Sequence, residues 1–182
     1  MNTLERLTLG SVSEGIVHHA TRPVLVARGG ERAWPPTRVV VADDGSEDAR
    51  KAGELAASIG KIYGAEMVFV RAYPPFRSKV SREGRASQLD AFYDALLREE
   101  LDLKKRAGEV EGILEGQLRI RVVEGDAATA IVREAERDGR RTLVAVGSRG
   151  LGPIERMRLG SVSTKVLRAA PGPVLIYPYP PG

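Results

Sequence analysis

Four residues late in the chain have the types and spacing for anion chemistry: Gly147, Gly150, and, after nine intervening residues, Gly160 with Ser161 beside it. Glycines let backbone N–H groups approach phosphate oxygens, and a helix starting near Ser161 aims its positive end at the same place. Ser161 and Ser163 add hydroxyl donors, while Arg149, Arg156 and Arg158 make the neighbourhood cationic. Taken alone, glycines after a strand serve equally well to permit turns, and that reading stays open at this point. Two common phosphate loops do not fit. A Walker-type loop needs Lys before its Ser or Thr, and Gly160 precedes Ser161. The dinucleotide fingerprint G-x-G-x-x-G follows a first strand, whereas here G-x-x-G-x-G follows the fourth.

A second polar group, Asp43-Asp44-Gly45-Ser46, closes the first apolar run. Two adjacent carboxylates suit a divalent ion such as magnesium, near Asp43 or Asp44. Neighbours on a strand point to opposite faces, however, which favours Asp44 alone facing a site. Other chemistry lacks its residues. The chain has no Cys, hence no thiol nucleophile, disulfide framework or thiolate metal site, a composition that suits a reducing cytoplasm. His18 and His19 are adjacent with no second cluster to join. No Ser/His/Asp set or spaced acid pair stands out, so at most slow hydrolysis of a bound nucleotide is expected.

The elements that must position these groups follow from the apolar pattern. Short runs at 38–42, 67–70, 118–123, 143–146 and 174–177 alternate with helical stretches, the mark of a parallel sheet with crossover helices. The expected fold is α/β, a doubly wound, mostly parallel, five-stranded sheet with helices on both faces. Ser46 is the expected N-cap of the first crossover helix, whose buried stripe is Ala52, Leu55, Ala56, Ile59 and Ile62, with Gly64 as its stop. A long helix is expected over 86–113, with Leu89, Phe92, Leu96, Leu103 and Val110 on one side. A shorter one around Ala130, Ile131 and Ala135 ends at Gly139, and a last one runs from near Ser161 to Pro171.

The start of the chain repeats its end. Residues 4–28 align without a gap on 154–178, sharing Glu5 with Glu155, Arg6 with Arg156, the Leu-Gly-Ser-Val-Ser block, and Pro-Val-Leu at 23–25 with 173–175. Residues 1–28 are therefore expected to be the last helix and strand of a second copy of the domain. Residues 29–36 read as a linker, 37–178 as the complete domain and 179–182 as a tail. The 24 acidic residues mixed with 28 basic ones describe a solvated surface rather than a nucleic-acid stripe. No apolar run reaches the ~20 residues of a membrane helix.

With order and spacing in place, the chain resembles the universal stress protein family over about 37–178. Its nucleotide-binding branch is marked by G-x-x-G, nine residues, then G-S/T, which Gly147, Gly150, Gly160 and Ser161 match. Val-Ala-Asp-Asp-Gly-Ser is similar to the family's Val-Ala-x-Asp-Gly-Ser, and Gly125-Asp126 to the turn opening its third helix. The resemblance implies ATP as ligand, with AMP or ADP as alternatives and magnesium as companion. It places Ala42, Asp44, Gly45, Ser46 and Ala72 on the adenosine side, and Gly147, Arg149, Gly150, Gly160, Ser161, Val162 and Ser163 on the phosphates. It also implies a nucleotide-responsive regulatory protein and a homodimer in which residues 23–28 and 173–177 pair, within one chain or across a twofold axis. Thr142 and Asp43 depart from the family pattern. A nucleotide-hydrolysing or nucleotidyl-transfer enzyme and a structural oligomer without nucleotide are the competing readings.

Overall fold

The computed structural model describes residues 11–28, 30–76, 82–114, 116–148 and 159–178. Its strands are β1 (Val24–Val26), β2 (Arg38–Ala42), β3 (Glu66–Tyr73), β4 (Leu118–Glu124), β5 (Thr142–Gly147) and β6 (Val174–Tyr177). The α-helices are α1 (Ser11–His19), α2 (Glu47–Tyr63), α3 (Arg82–Glu111), α4 (Ala127–Glu136) and α5 (Ser161–Ala169). The strands form one sheet in the order β1-β6-β5-β2-β3-β4. Every neighbouring pair is parallel except β1 with β6.

The continuous apolar runs of β2 and β5 are explained by helices on both faces. Alternate residues go to opposite sides. Val40, Val68, Val70, Val144, Val146, Val174 and Ile176 form one core with Val17 of α1, Ile131 of α4 and Val166 and Leu167 of α5. Val39, Val41, Met67, Phe69, Leu143, Ala145 and Leu175 form the other, beneath Ala52 and Ala56 of α2 and Leu103, Ala107 and Val110 of α3. Ser46 caps α2 by accepting from the Ala49 N–H at 3.3 Å, and Gly64 ends it. Ile62 departs from its expected burial. It lies in the last turn, at the margin of the apolar stripe, and is 74% exposed. The long helix begins at Arg82, four residues before the expected start, and only its C-terminal third is sealed against the sheet.

The sheet has six strands rather than the expected five, and the added one is β1. α1 and β1 begin 150 positions before α5 and β6, as the repeat requires. Leu25 lies opposite its counterpart Leu175, Val24 opposite Ile176 and Val26 opposite Val174. Each repeat strand thus meets its own equivalent, the geometry of a twofold contact made inside one chain. Side chains strap it down: Arg168 Nε donates to Glu14 Oε1 at 2.7 Å, and Arg28 donates to the Leu167 and Arg168 carbonyls. The connection is docked as well, although Trp34 stays partly open to solvent. Trp34 packs edge-on against Tyr63 with centroids 5.3 Å apart, and Ala33 and Pro36 are buried. Among the described residues no helix is long and apolar enough to cross a membrane.

Candidate nucleotide site

Chain order reverses direction between β2 and β5. β2 continues to β3 on one side and β5 to β6 on the other, so the C-terminal ends of β2 and β5 flank a crevice. The two polar groups singled out in the sequence meet there. Ala42 sits opposite Val146 on β5 and Val70 on β3, and Asp43 to Ser46 turn from the end of β2 into α2. Ala72 lies two residues beyond Val70, whose carbonyl accepts from the Asp43 N–H at 3.0 Å.

On the other side, α5 is fastened to the end of β5. The Gly160 N–H donates to the Ser148 carbonyl at 2.6 Å, and Ser163 Oγ donates to the Gly147 carbonyl at 2.6 Å. The Ser148 N–H in turn donates to the Tyr177 carbonyl of β6 at 2.7 Å. Gly160 is the N-cap and supplies no side-chain acceptor, and the first turn carries no acid. The leading N–H groups of α5, at Ser161, Val162 and Ser163, therefore open a helix end suited to an anion. Ser161 is exposed, whereas Ser163 is buried and spends its hydroxyl on Gly147. Its role is to hold the helix in place. Arg149 and Gly150 lie outside the described residues.

Gly147 is required by a close approach. A Cβ there would stand 2.8 Å from both the Ala49 nitrogen and Asp48 Oδ2, against the buried first turn of α2. Gly45 has φ 88°, the left-handed region that a side chain resists.

The two adjacent aspartates separate as alternation predicts. Asp44 is exposed, and its Oδ1 accepts from the Ser46 N–H at 3.0 Å and Ser46 Oγ at 2.6 Å. Asp43 is buried with its side chain 0% exposed. Its Oδ1 accepts from Arg71 and from the Gly45 N–H at 3.0 Å, while Arg106 lies 3.5 Å from Oδ2. A magnesium ion beside Asp43 is thereby disfavoured, because two guanidinium groups already neutralise that carboxylate. Among the described residues no group of three or more His, Cys, Asp or Glu could hold a metal.

Sequence reasoning passed over Arg71 and Arg106. Arg106, on α3, donates to the Gly45 carbonyl and to the Ser46 carbonyl at 3.1 Å, clamping the turn. Arg71, on β3, also bonds Glu99 Oε2 at 2.8 Å and Asp102 Oδ2 at 2.9 Å. That bond from Arg71 holds the Asp102 carboxyl below its ordinary value. One signal was available: a basic residue inside the apolar run of β3 must have a counter-charge if buried.

The model of the universal stress protein family matches residues 36–178. A universal stress protein of Mycolicibacterium smegmatis is 30% identical over 184 residues, covering 97% of this chain and 58% of its own length. This chain thus spans about three fifths of that relative. UspA from Lactobacillus plantarum shares the fold, with a TM-score of 0.66 at 17% identity over 78% of this chain and 97% of that one. A universal stress protein solved in complex with cAMP is 29% identical, with a TM-score of 0.53, over 77% of this chain and 95% of that one. With the matched region spanning the whole parallel sheet and its crevice, the chain belongs to the universal stress protein family.

Proposed function

We propose that this protein binds an adenine nucleotide, ATP in the first place, and acts as a nucleotide-responsive regulator. The observation that carries the reading is the convergence at one crevice of the Asp44-Gly45-Ser46 turn, Gly147 and the acid-free start of α5. Adenosine would lie against Ala42, Asp44 and Ala72. The phosphates would lie over Gly147 and the α5 N-terminus, with Arg149 and Gly150 joining from the connecting loop. Magnesium would arrive with the phosphates, because Asp44 is the one carboxylate of the turn that arginine does not already hold. Bound magnesium would screen phosphate charge. No group in the described site is placed to activate water, so turnover would be slow. The Cys-free composition supports a reducing, cytoplasmic setting.

A second ligand, cyclic AMP in the same crevice, is favoured by the solved relative whose complex contains it. Residues 1–28 are read as the end of a second domain copy, supported by the offset of 150 and the self-equivalent register of β1 on β6. A homodimer through the final strands would need β1 exchanged onto a partner's β6.

Calorimetric titration with ATP, ADP, AMP and cAMP tests the reading. Wild type should bind ATP, and the Gly150→Val, Gly160→Val double variant should not, because branched side chains fill the space phosphate oxygens need. Equal ATP affinity in the two proteins would remove the phosphates from this loop.

A further inference from the structure

β1 already lies along β6 within the chain, and α3 offers a surface apart from that edge. Its 30 residues run about 45 Å. Leu103, Ala107 and Val110 are buried against the sheet, yet Tyr93, Leu97 and Leu101 are 55%, 58% and 66% exposed. Steps of four residues put these three in one line along the helix. The same line continues to Asp90 at one end and Lys104 at the other, while Asp94 and Arg98 lie along one flank. Asp90, Asp94 and Lys104 make no side-chain ion pair among the described residues. The pattern is symmetric about Leu97: Tyr93 and Leu101 stand four residues to either side, Asp90 and Lys104 seven.

We propose that this face of α3 is a self-association surface that pairs antiparallel with α3 of a second copy, about a twofold axis at Leu97. Leu97 then meets its own counterpart, Tyr93 meets Leu101, and Asp90 meets Lys104 at both ends. Asp94 falls beside Arg98 of the other copy on the flank. A parallel pairing would instead set Asp90 against Asp90 and Lys104 against Lys104, so the charges select the antiparallel arrangement. The line is complementary to itself, which singles out a second copy of this chain as its occupant. A contact between two helices of this length is small for a specific interface, so the dimer is reversible and concentration-dependent. Nucleotide plays no part in it, and the inference stands apart from the proposed function.

Sedimentation equilibrium on the full chain at low salt, over a range of concentrations, tests it. Wild type should move from monomer to dimer as concentration rises, and Leu97→Lys should stay monomeric. Asp90→Lys alone and Lys104→Asp alone should each weaken the dimer by roughly tenfold, since each sets like charges together at both ends. The double reversal should restore it. All three positions are exposed, and circular dichroism checks that each variant is folded. A wild type that is monomeric throughout, a dimer indifferent to Leu97→Lys, or a double reversal no better than the single changes would each overturn the proposal.

Discussion

Arg71 has 6% of its side chain exposed and Asp43 none, and Asp43 is the one buried carboxylate among the three that Arg71 meets. Removing Asp43 leaves Arg71 buried with only the half-exposed Glu99 and Asp102 as counter-charges, a cost below the ~3–5 kcal/mol of a buried charge left wholly uncompensated. Asp43→Ala should therefore lower the melting temperature markedly. Asp44→Ala should leave stability nearly unchanged and weaken nucleotide binding about tenfold, the effect of losing a hydrogen bond to a charged group. Thermal unfolding and calorimetry on both variants check the split. Binding lost with Asp43 and kept with Asp44 would assign the adenosine side to the wrong carboxylate. The role of Asp44 was legible from Asp-Gly-Ser and from strand alternation. That of Asp43 was not, because its partners lie 28 and 63 residues further along, and only folding brings β3 and α3 to the end of β2.

At the scale of elements, the site depends on how α3 and α5 are held. Ser163 and Gly160 fasten α5 to β5, a use the sequence did not announce, since its pattern set both residues on the phosphates. Arg106 fastens α3 to the carbonyls of Gly45 and Ser46 from a helix that carries no motif, so nothing in the local pattern pointed to it. Arg106→Met keeps much of the side-chain length and removes both donors. It should loosen the turn and weaken adenosine and ATP by a similar factor, because it acts on the adenosine side. Gly160→Val should weaken ATP far more than adenosine. Titrating both ligands into both variants checks this, and an Arg106 variant that binds each like wild type would leave the clamp purely structural. Helix boundaries at Ser46, Gly64 and Ser161 were readable from caps and glycines. The start of α3 and the exposure of Ile62 were not, since both are set by how each helix lies on the sheet rather than by a cap or a breaker.

For the whole molecule, the repeat was visible in the sequence as a gapless alignment. The pairing of that repeat strand with the final strand was expected from the family resemblance, which left open whether it lies within one chain or across a twofold axis. The structure places it within one chain, as a sixth strand antiparallel on an otherwise parallel sheet. β1 is three residues long and covers the edge of β6, which would otherwise present open backbone groups to another chain. Deleting residues 1–28 should expose that edge and raise the mass in light scattering, or cause aggregation, while nucleotide binding is largely kept. Unchanged mass and melting temperature would make the segment dispensable. The central claim, that the crevice between β2 and β5 holds an adenine nucleotide, is tested most directly by mass spectrometry of the purified protein. Spectra are taken under native conditions and again after denaturing extraction, before and after incubation with ATP and magnesium. The account predicts a native mass increased by one adenine nucleotide and the same nucleotide in the extract. A native mass equal to that of the bare chain even after incubation with excess ATP would contradict it.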